Sequence, residues 1–212
     1  MTTQTFYRLT LIACLFICSA NAASQDIAKT LRVEKEVTLS RQDAVQNLKR
    51  GTNLRLADRV VTHENARASL RFYEGTLLTL GANTQMDIQA FSSEQQDKNA
   101  FFEFTKGAFR IITGAITQTE SPNFQVRTPL GTIGIRGTDF WGGELGDDGS
   151  LHILLIDSEH GLVVENELGK VVIDRAGFGT ILRPNQAPTA ASEWPKAKVE
   201  KAVKTISFSD DS

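Results

Sequence analysis

The residues from Thr128 to Trp141, TPLGTIGIRGTDFW, set three glycines at every third position, Gly131, Gly134 and Gly137, around a single arginine, Arg136. Glycine-rich turns beside a cation are one way a chain holds phosphate, so nucleotide binding is the first chemistry to test. A dinucleotide site needs G-x-G-x-x-G between a strand and a helix, and a P-loop needs G-K-[ST] opening a helix. Here the spacing is G-x-x-G-x-x-G, and the TDFWGG that follows is not helical. No helix N-terminus is therefore offered to a phosphate. A nucleophile elbow, G-x-S-x-G, is also absent. What remains is a folding role. Glycines allow bends, or a close backbone approach where a Cβ would clash. Ile133 and Ile135 share one face. Arg136 has five donors for backbone carbonyls or for a carboxylate, with Glu74, Asp139 and Asp157 as candidate partners. Thr128, Pro129, Gly131, Gly134, Arg136, Gly137 and Thr138 are assigned as one structural motif on this basis.

Other reactive side chains are scattered. His63, His152 and His160 are too far apart in sequence to suggest a metal centre, and Asp147-Asp148 lacks the D-x-[DN]-x-[DN]-G pattern of a calcium loop. Glu64, Glu74, Glu103 and Asp139 fall near predicted strands or turns, where isolated acids are usually solvated. A Ser-His-Asp triad has no local support. The expectation is a protein without catalytic, cofactor or metal site.

The elements that position these residues follow from the pattern of the chain. Arg8 is the only charge in the first 22 residues, and LTLIACLFICSA leads into Ala20-Asn21-Ala22. This predicts a secretory signal peptide over 1–22, too short in its apolar run for a spanning helix of about 20 residues. Lipidation at Cys14 is the competing reading. Both cysteines, Cys14 and Cys18, lie in this leader, so the exported chain is expected to be held by its core and not by disulfides. No later run is long enough to cross a bilayer as a helix. The formal net charge of −2 and scattered basic residues disfavour nucleic acid. The predicted location is periplasmic or secreted.

After the leader, 23–48 reads as a loose lead-in followed by a strand, and 49–183 as a β-domain. Apolar alternation recurs in short runs cut by turn residues, as in Ala68-Leu70-Phe72, Phe102/Phe104 and Phe109/Ile111. LHILLID at 151–157 is apolar on both faces and predicts an interior strand. The fold expected is all-β, one domain of many short strands, either a β-roll or solenoid or a sandwich. Residues 184–212 read as a proline-rich linker, a short helix from Lys196 with Val199, Val203 and Ile206 on one side, and a polar tail.

The Thr-Pro pair, short strand, Arg136-Gly137-Thr138 and aromatic strand resemble the central signature of the FecR domain, a bacterial envelope module. RVVTHENARASLRFYEGTLLTL resembles its early hairpin and FEFTKGAFRIITG a following strand. LHILLIDSEHGLVVEN and DRAGFGTIL resemble the closing strands, so the likeness covers about residues 50–183. Ala57 and His63-Glu64-Asn65 stand where the family commonly has glycine-bearing turns. The family's namesake is a membrane regulator acting on a sigma factor through a cytoplasmic segment. Only the exported β-domain is recognisable here. The resemblance therefore implies a non-catalytic protein-interaction or ligand-sensing module with an envelope protein or polysaccharide as partner. The alternatives are an accessory to cell-surface signalling through a separate membrane regulator, and a glycan-binding or glycan-active protein.

Overall fold

A computed structural model describes residues 25–94, 97–118, 123–158 and 160–209. The leader with its two cysteines lies outside them. In chain order the strands are β1 (Asp26–Glu34), β2 (Val37–Arg41), β3 (Ala44–Asn47), β4 (Asn53–Arg55), β5 (Arg59–Thr62), β6 (Arg67–Phe72), β7 (Leu77–Leu80), β8 (Gln85–Glu94) and β9 (Asp97–Lys106). There follow β10 (Ala108–Ile112), β11 (Asn123–Thr128), β12 (Gly131–Ile135), β13 (Thr138–Gly143), β14 (Leu151–Ser158), β15 (Leu162–Asn166), β16 (Gly169–Ile173), β17 (Phe178–Leu182), β18 (Ser192–Glu193) and the helix α1 (Lys196–Lys204).

These strands form two nine-stranded sheets. The first runs β18-β17-β14-β13-β10-β7-β6-β1-β4 and the second β16-β15-β12-β11-β9-β8-β5-β2-β3. The chain crosses from one sheet to the other while advancing along both, so two packed layers are built by progressive winding. The two architectures left open by the sequence, sandwich and roll, are thus both present in this all-β domain. Nearly every pairing is antiparallel. Among the described residues the exception is β9 with β11, which run parallel because β10 lies between them in the other sheet.

Period-2 alternation decides what faces inward. In β6 Ala68, Leu70 and Phe72 are buried, and in β11 Phe124, Val126 and Thr128 are buried while their neighbours are exposed. Aromatic rings join the sheets: Phe72 lies 4.8 Å from Phe91 and 5.1 Å from Phe102, and Phe104 stacks on Phe109 at 3.9 Å. Each such ring contributes about 1.5–3 kcal/mol through burial. β14 pairs with β13 and β17 and is interior.

Two segments differ from expectation. Within the expected loose lead-in, residues 26–31 are ordered, because β1 begins at Asp26 and is hydrogen-bonded between β4 and β6. Register shifts at Asp26/Ala28 and Thr30/Arg32 break its alternation, which hides it from a period-2 search. The proline-rich 184–195 stretch is fastened to the first sheet. Thr180 Oγ1 donates to the Thr189 carbonyl at 2.6 Å, β18 pairs with β17, and Trp194 is buried.

Candidate functional site

β11 and β12 are joined by Thr128-Pro129-Leu130-Gly131. The Thr128 hydroxyl donates to the Gly131 carbonyl at 2.9 Å and closes this turn, while Pro129 stays exposed. Ile133 and Ile135 are buried. Gly137, at φ +68°, turns the chain from the second sheet into the first. Arg136 is exposed beside it. The Thr138 N–H donates to Thr113 Oγ1 at 2.8 Å, and the Thr138 carbonyl accepts from the Thr113 N–H at 3.0 Å and its hydroxyl at 3.2 Å.

The three glycines are not equivalent. A Cβ on Gly131 would lie 2.6 Å from the Glu165 carbonyl oxygen, whereas one on Gly134 would meet only Val163, at 3.8 Å. Gly131→Ala should therefore destabilise by about 1–3 kcal/mol through overpacking. Gly134→Ala should be neutral, or stabilising by about 0.5–1 kcal/mol. Thermal melts of the two variants check this. A loss at Gly134 equal to that at Gly131 would contradict it.

Beside the Arg-Gly-Thr turn is an open cleft of about 740 Å³, with Thr113, Thr117, Thr138, Asp139, Asp157 and His160 in its wall. Asp139 and Asp157 are directly opposite on β13 and β14. Like charges in that position repel. The Arg110 guanidinium answers this by a two-pronged ion pair to Asp139, with Nε to Oδ1 at 2.8 Å and Nη2 to Oδ2 at 2.6 Å. The same pair raises the arginine's pKa. Asp157 accepts from the Ser158 N–H at 2.9 Å. Glu74 accepts from the Thr76 and Ile116 N–H groups at 3.1 and 3.0 Å. The three carboxylates considered for Arg136 thus have these other partners. Both oxygens of Asp139 are held by Arg110.

A second polar cluster was not legible from sequence. Ser150 Oγ donates to Asp148 Oδ1 at 2.5 Å and lies 3.0 Å from His152 Nε2. The three residue types of a hydrolytic triad therefore do meet locally, contrary to expectation, but in the wrong order. In a triad the carboxylate orients the histidine, which then takes the serine proton. Here the serine stands between the other two and is wholly buried, and His152 Nδ1 has no partner. The cluster fastens the 144–150 loop to β14.

Burial pushes the His152 pKa from 6.5 down to about 4, with the Lys198 charge adding to the effect. A histidine depressed in the folded state contributes stability that is full above the unfolded value and lost on acidification. Stability should fall as pH drops from about 6.5 to 4, and His152→Gln should flatten that part of the profile. Melting temperatures of both proteins across this range test it, and parallel curves would contradict it.

The outer face of the first sheet carries a further feature. α1 lies across it, with Ala202 and Ile206 packed on Ala108, Trp141, Leu154 and Trp194. The Trp141 indole N–H donates to Thr205 Oγ1 at 3.0 Å. Beyond the helix Arg32 lies over the Phe208 ring at 4.0 Å, and the Ser209 N–H donates to Glu34 at 3.1 Å. This tail and the sheet enclose a groove of about 780 Å³, lined by Leu31, Arg32, Arg50, Leu77, Arg110 and Ile112 together with Val203, Ile206 and Phe208.

The family model described as "FecR protein" matches residues 58–159, from the turn before β5 to the end of β14. Two crystal structures, at 2.50 and 1.65 Å resolution, of a "putative anti-sigma factor" from Parabacteroides distasonis share the fold. Each is 14% identical with a TM-score of 0.53, over 67% of this chain and 62% of that one. The protein therefore spans less than two thirds of the length of these neighbours. No curated protein matches the sequence. Turn, strands and family match coincide on one stretch, and residues 58–159 carry a FecR domain.

Proposed function

We propose that the protein is a non-catalytic binding module of the bacterial cell envelope that takes part in cell-surface signalling by engaging a partner protein. The observation that carries this reading is the FecR-domain match over 58–159, which takes in the strands flanking the groove, β6, β7 and β10. The anti-sigma description of its structural neighbours favours a regulatory role, exerted through a separate membrane regulator. The polar clusters at Asp139 and Ser150 favour binding over turnover, since their groups are engaged in holding strands and a loop together. The predicted leader favours a periplasmic or secreted location.

Cross-linking of the tagged chain in intact cells should yield one defined envelope protein, with the chain itself in the envelope or secreted fraction. Deletion of the gene should change transcription of the regulon that the partner controls. Cytoplasmic location, turnover of a glycan substrate, or unchanged transcripts would each count against the proposal. A polysaccharide ligand is the second reading, favoured by the open cleft with Asp139, Asp157, Ser158 and His160 in its wall.

A further inference from the structure

Two sheets have four edges, and one edge here differs from the others. The first sheet ends in β18 and β4, of two and three residues, and the second in β3, of four residues, and β16, of five. β16 pairs with β15 without a bulge, contains no proline, and has no strand on its other side among the described residues. Such an edge offers unpaired backbone groups to another extended chain. The two-residue turn Glu167-Leu168 makes Asn166 and Gly169 a mutually bonded pair, and ladder bonds alternate from there. Gly169, Val171 and Ile173 therefore bond to β15, while Lys170 and Val172 direct N–H and C=O outward. Asp174, one residue past the strand, continues that outward row.

The side chains of this row are exposed as well, whereas Ile173 is buried. Val172 is 53% exposed. Its neighbour across the sheet is Val163, and the next position inward is Gly134, which has no side chain. A short apolar stripe thus runs out to the edge, with a cation on one side and an anion on the other. Lys170 has only a long ion pair to Glu165, at 3.9 Å with both side chains exposed, and no ion pair holds Asp174 among the described residues.

The order Lys170, Val172, Asp174 is its own complement when reversed. Two copies of β16 laid antiparallel about a two-fold axis at Val172 set Lys170 of each copy opposite Asp174 of the other. Each outward residue then faces an outward residue, as the alternation of bonds requires. A slip of two residues in either direction leaves a charge opposite Val172. A slip of four sets lysine against lysine or aspartate against aspartate, where like charges repel. The other edge of this sheet, β3, is Ala-Val-Gln-Asn and has no charge to fix a register.

We propose that β16 is a self-pairing edge, through which two copies of the chain join antiparallel about Val172 and extend the second sheet into one continuous sheet. This goes beyond the partner-protein reading and stands without it. A contact one strand wide lies at the small end of specific interfaces, so the dimer is weak and depends on concentration.

The test is sedimentation of the full chain, as cells process it, over a concentration series up to about 1 mM, the range in which a small interface associates. A monomer–dimer equilibrium is expected. Lys170→Asp and Asp174→Lys, both at exposed positions, should keep the parent melting temperature and should each weaken the dimer about ten-fold or more, because two opposite-charge pairs become two like-charge pairs. An equimolar mixture of the two variants should regain the dimer, since each Asp then faces a Lys of the other copy. In the parent alone, amide exchange at Lys170 and Val172 should slow as concentration rises, while exchange at Val171 stays constant. A monomer throughout the series, or assemblies larger than a dimer, would overturn the proposal. So would a dimer that both variants leave intact, or one without slower exchange at Lys170 and Val172, because another surface would then join the copies. None of these results touches the partner-protein reading, which the cross-linking experiment judges by a partner of different sequence.

Discussion

Asp58→Ala should lower stability by about 3–5 kcal/mol, the cost of removing one member of a buried ion pair. The Asp58 side chain is fully buried. Its two oxygens accept from Arg41 Nε and Nη2, each at 2.8 Å, and Oδ2 also accepts from the Arg55 N–H at 2.8 Å. Arg41 adds a bond to the Asn53 carbonyl at 2.8 Å. Arg41 belongs to β2 of the second sheet, and Asn53 and Arg55 to β4 of the first. The carboxylate therefore clips the two sheets together at the end where the winding begins. Alanine would leave a partly buried guanidinium and a backbone N–H without their acceptor. For a domain of this size each kcal/mol moves the melting temperature by about 2–4 °C, so a drop of about 10 °C is expected. Arg59–Asp87 supplies the control. That pair joins β5 to β8 with the arginine side chain 51% exposed, so Asp87→Ala should cost about 1 kcal/mol or less. Equal losses at Asp58 and Asp87 would show that the buried clip has no special weight.

That hub was invisible in the sequence for a physical reason. A lone aspartate in a turn looks the same whether water or an arginine from another sheet satisfies it. Alternation is different, because burial of every second side chain is written into local order. Ala68-Leu70-Phe72, Phe102/Phe104 and the two-faced LHILLID could be read directly and are buried as read. Alternation says which face of a strand is inward, not which sheet the strand joins, so sandwich and roll could not be separated. β1 was lost where bulges break its period. Two turns lacking the expected glycine keep a left-handed backbone all the same, with Ala57 at φ +63° and Asn65 at φ +55°. Asparagine tolerates that conformation better than alanine, so the substitution to Ala57 carries strain the turn retains. Of the glycine triplet, Gly131 makes a close backbone approach and Gly137 takes a left-handed turn. Gly134 does neither.

Trp141→Ala should be comparably costly, about 3–5 kcal/mol, and it should also undock the helix. Phe140 and Trp141 are consecutive in β13 and therefore point to opposite faces, yet both are fully buried. Phe140 is covered by the core between the sheets. Trp141 is covered because α1 lies over it, with Ala202 and Ile206 in the same cluster and Thr205 on its indole nitrogen. An apolar pair of adjacent residues in a strand thus signals, in the sequence itself, that something packs on the outside, and the helical period after Lys196 supplies it. Alanine would leave a cavity under the helix that its short side chains cannot fill. Amide exchange over 196–209 should then quicken far more than exchange in the second sheet. Trp141→Phe keeps most of the burial and loses only the hydrogen bond to Thr205, at a cost of about 1 kcal/mol for the bond, with α1 still protected. If α1 stays protected from exchange in Trp141→Ala, the helix is held by other contacts, and the tail wall of the groove does not depend on this residue.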